Sequence, residues 1–476
     1  MRWLRNELRR RRQLNEIPIE PLDEEASTLL MQRVLDGDPS PALVRVIFEK
    51  TRGLPLFVEE LTNALHAQRL LRPGNQGLEL IPGKDFPIPE SIRDAILIRL
   101  DGLSDEARNQ LEVAAIAGME FDLELVAQLS GEETGLDELM DRNLIIETES
   151  GIGAFRHALT REAVQSEILW SRRRKLNRDI ATYLESVAAS PERIAEHWLA
   201  ANELVKARDA LLSSAERSCH LHAYRDAAKA AQRALDIWPE GEEEEQRLSA
   251  LEQFAHCAQV SGQLSEAVRA LREVLESSRI REDHSRHGEA GRTLATIHGL
   301  QGAWEQSLAA RKEAAEAFEQ ANLSGEAAGE WLAVAARYTG LYHLETAIEY
   351  CDRTIELANN VERWDIKARA LALKGNVLSI QGNSEAGIET AHEGLSLALK
   401  HNSTDAAAEV YRRLGSTLEY ASEFTASREV YFTAYNYCHN HGAELEAQLC
   451  LGCMSYVLFR TGDWKQCIEI CKEVIN

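Results

Sequence analysis

No run of about 18 consecutive apolar residues occurs in the 476-residue chain, so it carries no transmembrane helix. Its first residues, MRWLRNELRRRRQL, have charge but no apolar core, which excludes a secretory signal there. Cysteine is sparse, and eight thiols in this length make no disulfide framework. Basic charge is short too: 53 Lys and Arg stand against 77 Asp and Glu, and the net charge of −24 opposes nonspecific binding to DNA, RNA or anionic membrane. The phosphate-cradling string G-x-x-x-x-G-K-[ST] is also missing. The only Gly-Lys, Gly83-Lys84, is followed by Asp85 and has Leu78 where the first glycine belongs. No apolar strand ends in paired acids to hold magnesium, so ATP hydrolysis by this chain alone is not expected. What remains is an ordinary globular composition, 44% hydrophobic and 27% charged, with room for about three domains and a cytosolic location expected.

The dominant positive feature is periodic. Gly262-Gln-Leu264-Ser-Glu-Ala267-Val268 returns as Gly302-Ala-Trp304-Glu-Gln-Ser307-Leu308, as Gly382-Asn-Ser384-Glu-Ala-Gly387-Ile388 and as Gly462-Asp-Trp464-Lys-Gln-Cys467-Ile468, at a step of 40 residues or a multiple of it. Degenerate copies at His222, Tyr342 and Ser422 fill the gaps. Seven residues before each turn position stands a small residue: Ala215, Ala255, Ala295, Ala335, Gly375, Gly415, Ser455. Five after it come Ala227, Ala267, Ser307, Ala347, Gly387, Ser427 and Cys467. One small position per helix is what a helical hairpin needs where its two backbones cross closely, because larger side chains would overpack the crossing. A single hairpin cannot bury its own apolar face, so the copies are expected to stack into a superhelix.

Apolar positions surround the small ones at helical spacing: Trp331, Val334, Ala335, Tyr338 and again Tyr411, Leu414, Gly415, Leu418. These quartets resemble the first-helix signature of tetratricopeptide (TPR) repeats, W-x2-L-G-x2-Y, and Pro239 closing the first copy fits the same pattern. The period exceeds the usual TPR length of about 34 residues, so either the helices or the loops are longer. HEAT repeats share the longer period, but the small-residue positions favour TPR. The resemblance covers about residues 206–476, seven copies with the last incomplete. It implies a protein or peptide partner in the superhelical groove.

The four cysteines Cys450, Cys453, Cys467 and Cys471 have zinc-like spacing, yet all lie on the two helices of the last copy, and free buried thiols are the expectation.

Upstream, residues 1–20 read as the tail of a helix and a short strand, with Arg9 to Arg12 a solvated helix face. Residues 21–88 read as a helical lid, with the helical pattern from Asp23 to about Leu71 and then a Gly/Pro-rich connector, RPGNQGLELIPGKDFPIP. Ser40 and Pro41 suit a helix start, Gly53 its end, and Pro55 opens the next helix with Leu56, Phe57, Leu61 and Leu65 on one face. Within it, GLPLFVEEL resembles the G-x-P motif in the lid of STAND-class signalling ATPases, a class that includes many LuxR-type regulators. The resemblance implies that Gly53 and Pro55 contact a nucleotide. The residue pattern itself is equally that of a helical corner with proline at the first helical position.

Residues 89–165 read as three helices and a hairpin, a winged-helix domain. Ser104 and Asp122 are caps, Gly131 ends the second helix, and Leu136, Leu139, Met140 and Leu144 mark the third. The hairpin turns at Ser150-Gly151-Ile152-Gly153. Asp137, Glu138 and Asp141 would repel phosphates if the third helix faced DNA. FRHALTREAV is similar to the end of the STAND wing, where a histidine, here His157, would meet the β-phosphate. The related motif has an acidic residue next, where this chain has Ala158. A structural role for His157 is the alternative. Residues 166–205 read as helical linker, with Arg172, Arg173, Arg174 and Lys175 on a solvated face.

The STAND resemblance implies that the chain starts just after a nucleotide-binding core, of which residues 1–20 are a remnant. ATP or ADP would bind in the intact parent, and tight binding to this chain alone is not expected. Lacking that core, Phe57 and Leu61 would be exposed, leaving residues 1–90 less ordered or prone to self-assembly. The competing reading is a free-standing TPR adaptor with no nucleotide. A DNA-binding repressor that senses through its TPR half ranks behind both.

Overall fold

The computed structural model describes residues 20–74, 76–81, 92–131, 134–239 and 241–475. The expected strand and basic helix of residues 1–19, and Gly83-Lys84-Asp85, lie outside them. The chain falls into two compact units, Met1–Leu211 and Leu212–Asn476.

The first unit opens with three helices, α1 (Glu24–Leu35), α2 (Pro41–Thr51) and α3 (Pro55–Ala67). Ser40 caps α2, with its hydroxyl accepting from the Leu43 amide, and Pro41 and Pro55 each stand at a helix start as the sequence predicts. The presumed connector is in fact ordered in part: Leu71–Gly74 (β1) pairs antiparallel with Gly77–Leu80 (β2). Gly77, with φ 112°, turns the chain beneath Asp38, whose carbonyl accepts from the Leu78 amide at 2.8 Å. Leu78 and Leu80 thereby pack on Met31, Leu43, Ile47, Phe57 and Leu61. The expected exposure of Phe57 and Leu61 is therefore wrong: both are buried, because α1, α2 and the hairpin close a core around α3.

Then come α4 (Ile92–Leu100), α5 (Asp105–Ala117), α6 (Leu123–Ser130) and α7 (Thr134–Asp141), with a three-stranded antiparallel sheet. The sheet has the order β3 (Glu120–Asp122), β5 (Ile152–Phe155), β4 (Ile145–Glu149). Ser104, Asp122 and Gly131 cap as predicted. The hairpin turn is tighter than expected, Ser150-Gly151 alone, and β3 is an unforeseen strand that ends on the capping aspartate. Leu144 lies beyond the end of α7, buried beside the start of β4.

Helices α8 (Ala158–Glu167), α9 (Trp170–Ser186) and α10 (Pro191–Ala200) follow. The expected solvated face of α9 is there only in part: Arg173 and Lys175 are exposed, Arg172 and Arg174 half-buried, and the three arginines are engaged by neighbouring segments. Arg172 bonds Asn109 and Glu112, Arg173 caps the Gln165 carbonyl at 2.8 Å, and Arg174 caps that of Ala201 at 2.7 Å.

From Leu204 on, helices run in pairs: α11 (Leu204–His220) with α12 (Tyr224–Asp236), α13 (Glu244–Val260) with α14 (Leu264–Ile280), and α15 (His284–Leu300) with α16 (Trp304–Gln320). The series continues through α17 (Ser324–Gly340) and α18 (Leu344–Asn360), α19 (Trp364–Ile380) and α20 (Ser384–Lys400), α21 (Thr404–Tyr420) and α22 (Phe424–Asn440), then α23 (Glu444–Thr461) and α24 (Trp464–Ile475). The pairs stack as a TPR-like superhelix, as the period requires. From α14 to α22 every helix has 17 residues and every turn three, so the excess over a TPR period lies in the helices, not the loops. The turn position is left-handed in every copy, φ 58° at His222 and 91° at Gly382, which is why glycine recurs there.

The small positions sit at the crossings. A Cβ on Gly375 would lie 2.4 Å from the Gly387 carbonyl oxygen, and one on Gly387 2.6 Å from that of Gly375. Ala215, Ala255, Ala295 and Ala335 on the first helices are all fully buried.

Candidate functional site

Two places combine unusual chemistry with order. The first is the seam between α3 and the sheet module in the first unit. Gly53 has φ 71°, and a Cβ there would fall 1.9 Å from the Leu22 carbonyl oxygen; its own carbonyl accepts from the Leu22 amide at 2.8 Å. Its glycine character is thus accounted for by the strand of backbone lying over it. Pro55, at the first position of α3, is exposed. His157 precedes α8, and its Nε2 lies 3.6 Å from Glu59 Oε2, buried and short of a hydrogen bond. Arg156 Nη2 sits 3.1 Å from the other oxygen of Glu59. The structure therefore brings His157 to the helix that Pro55 opens, through Glu59, one turn on.

Glu60 completes the seam. It is buried and meets buried Arg99 of α4 at 2.5 Å, and the same guanidinium donates to the Arg142 carbonyl at 2.6 Å. Such a pair is costly to desolvate and expensive to break, so it locks α3 onto α4. Glu59 and Glu60 were missed in the sequence, although both stand inside GLPLFVEEL. Glu60 follows Phe57 by three and precedes Ala64 by four, and a carboxylate on an apolar helical stripe is the signal that could have found it. The acids of α7 are partly engaged too: the Ser104 hydroxyl donates to Glu138 at 2.6 Å, and Arg142 pairs with it at 2.8 Å. The Ser104 hydrogen bond, outweighing burial, holds the Glu138 carboxyl below its usual range.

The second place is the face of the superhelix lined by first helices. First helices pack on first helices, α17 on α19, α19 on α21 and α21 on α23, with no comparable packing between second helices among the described residues. In a stack that curves, the helices in mutual contact line the inside. Polar rungs cross it: Asn376 Nδ2 to Ser416 Oγ at 3.2 Å and Arg369 to Glu409 at 3.3 Å, both at the repeat step, and Arg292 to buried Glu330 at 2.9 Å, two residues short of it. Further along, Arg286 is clamped by Glu245, Glu252 and Asp283 at 2.6, 2.8 and 3.4 Å. Two clefts open beside the first helices that precede this packed row. One, of about 430 Å³, lies between α13 and α15 beside Arg286. The other, of about 570 Å³, lies between α15, α16 and α17. Both are in the size range of ligand pockets.

The cysteines of the last pair were expected to be buried free thiols, and only Cys450 is buried: Cys453 and Cys467 are half-buried and Cys471 is exposed. Among the described residues no group of three or more His, Cys, Asp or Glu side chains is placed to hold a metal ion. Nor is any described helix long and apolar enough to cross a membrane.

No family model matches the chain, and no curated relative matches by sequence. Solved structures resemble it in fold. A STAND protein with a tetratricopeptide repeat sensor from Pyrococcus horikoshii aligns over 97% of this chain and 67% of its own, at 16% identity and a TM-score of 0.42. The apo quorum sensor NprR from B. thuringiensis aligns over 66% of this chain and 90% of its own, at 12% identity and 0.44. Apo RapI aligns over 54% and 99%, at 12% identity and 0.39. What the chain's own coordinates define is a TPR-like helical-repeat protein with a smaller helical module before the repeats.

Proposed function

We propose that this chain is the sensing part of a STAND-type signalling ATPase, in which the TPR-like superhelix holds a protein or peptide partner on its inner face. The single observation that carries the binding role is the row of first helices, packed on one another from α17 to α23, with two clefts opening beside the first helices that precede them. In the parent protein, α3 with Gly53 and Pro55 would serve as the lid on ATP or ADP, and the α5–α7 module with its sheet as the winged helix. His157 would stand at the β-phosphate. Its neighbour Glu59 supports a switching role, since a phosphate arriving at His157 and Arg156 would compete with that carboxylate for the same two side chains. A partner on the repeats would then alter how this seam is held and so bias nucleotide binding.

The test reads the coding sequence upstream of the first codon for an in-frame G-x-x-x-x-G-K-[ST], then titrates fluorescent ADP onto the protein so encoded. His157→Ala and Pro55→Ala should each weaken ADP at least about tenfold, roughly 1.4 kcal/mol. Unchanged affinity in both would remove the nucleotide reading.

A second reading, the free-standing TPR adaptor, is favoured by one observation: α1–α3 and the β1–β2 hairpin close their own core over Phe57 and Leu61. On that reading the first module needs no sheet domain to pack on, and the superhelix keeps its partner-binding role.

A further inference from the structure

The cleft between α15, α16 and α17 arises where the repeat breaks its own rule. Position 337 corresponds, at the 40-residue step, to an exposed arginine in the first copy, Arg217, and in the other copies to Cys257, Ile297, Val377, Thr417 and Val457, all five fully buried. Val377 shows what that position does: it packs on Ala335 and Ala347 of the preceding pair and fills the junction. The fourth copy puts Arg337 there instead, half-buried, and the plug is absent. Its guanidinium carbon rests 4.9 Å above the ring of Trp304. Trp304 is itself 51% exposed, and Leu300 beside it 67%. Gly299, Ala333 and Ala336 form a floor of small residues around the resulting space of about 570 Å³.

Charge distinguishes this cleft from its neighbour. Arg286, in the cleft one junction earlier, is held by three carboxylates. Arg311, on the wall of the present cleft, is committed to Glu330 at 2.7 Å. Arg337 has no carboxylate within ion-pair distance among the described residues, and its guanidinium lies on the Trp304 ring. In a chain carrying 77 acids, an inner-face arginine without one is a cation left for something else. A guanidinium lying on an aromatic face keeps its edge donors free, so it can still take a carboxylate side-on.

We propose that this cleft binds a peptide, seating one of its carboxylates on Arg337 and an adjacent bulky apolar side chain against Trp304 and Leu300. The proposal rests on the partner-binding reading of the superhelix and adds the place and the chemistry. Arginine and tryptophan are the residue types that concentrate binding energy at the centre of such contacts.

The experiment is fluorescence anisotropy of the full chain with two pools of labelled short peptides. One pool places Asp or Glu beside Leu or Phe; the other carries Asn or Gln in the acidic positions. The acidic pool should bind at least about tenfold more tightly, and Arg337→Val should abolish that preference. The same variant restores the plug, so it should also melt higher, by about 2 °C or more, which shows that it folds. Trp304→Ala should weaken the acidic pool as well. Acidic-pool binding that survives Arg337→Val overturns this cleft and leaves partner binding by the superhelix standing. Equal binding of both pools overturns the carboxylate assignment, and no binding of either removes both readings. A melting point for Arg337→Val at or below that of the parent chain overturns the missing-plug argument.

Discussion

The hydroxyl of Ser307 donates to the backbone carbonyl of Ala295, twelve residues earlier on the partner helix of the same pair, at 2.7 Å. Ser427 repeats the bond to Gly415 at 2.9 Å, and the Cys467 thiol reaches the Ser455 carbonyl at 3.2 Å. The two small positions recognised in the sequence are therefore in register across the crossing, and a polar small residue is tolerated there only because the opposite carbonyl accepts from it.

The crossing predicts an order of damage. Ser307→Ala loses one hydrogen bond and should cost about 1 kcal/mol. Ala335→Leu forces a larger side chain into a site with no free space and should cost about 1–3 kcal/mol. Gly387→Leu should cost at least as much, since even a Cβ falls 2.6 Å from the Gly375 carbonyl oxygen. Urea unfolding of the three variants gives the ranking directly, and a leucine variant as stable as the parent would show the crossing to be misplaced.

Breaking the Glu60–Arg99 pair should be worse than removing it. Arg99→Met leaves a buried carboxylate without its cation and should cost about 3–5 kcal/mol. Adding Glu60→Leu should recover most of that. Thermal unfolding of both single variants and the double variant measures the coupling. Additive losses would mean that the pair does not lock α3 to α4.

His197 should make the first unit acid-sensitive. Burial, followed by repulsion from Arg193 and Arg161 and opposed by Glu196, lowers its pKa from 6.5 to about 4, and its Nδ1 lies 2.9 Å from Asn177 Oδ1. The unfolded chain takes up a proton below about pH 6.5, while the folded one does not until about pH 4. The stability His197 contributes is thus present above pH 6.5 and lost progressively down to pH 4, on the order of 3 kcal/mol in all. The difference in unfolding free energy between the parent chain and His197→Gln, followed over that window, should shrink as pH falls. A difference independent of pH would show that His197 does not titrate in this way.

Thiol labelling should separate the cysteines by place. Cys351 is buried, and burial pushes its pKa up to about 12, so it should resist iodoacetamide in the folded chain. Cys471 is exposed on α24 and should react first. Peptide mapping after brief labelling reads the order, and early modification of Cys351 would contradict the packing of the α17–α18 pair.

The superhelix was legible because its signals repeat: a small residue every 40 positions states the same packing demand in each copy. The helix caps at Ser40, Ser104 and Asp122 were legible because each is a local bond to its own helix. What the sequence concealed depends on distant partners. Phe57 and Leu61 find their cover in Leu78 and Leu80, in a segment whose glycines and prolines read as connector. The α9 arginines read as a solvated face because their acceptors, Asn109, Gln165 and Ala201, belong to other helices. Arg337 was hidden differently. Its departure from an apolar register position shows only when copies are compared at one position, and its partner Trp304 lies in the preceding pair.

The rungs from Asn376 to Ser416 and from Arg369 to Glu409 join like positions of adjoining pairs, and that sets how the repeat half yields to force. Each pair is tied in this way only to the next, so a strain applied at one pair can reach a distant one only through every joint between them.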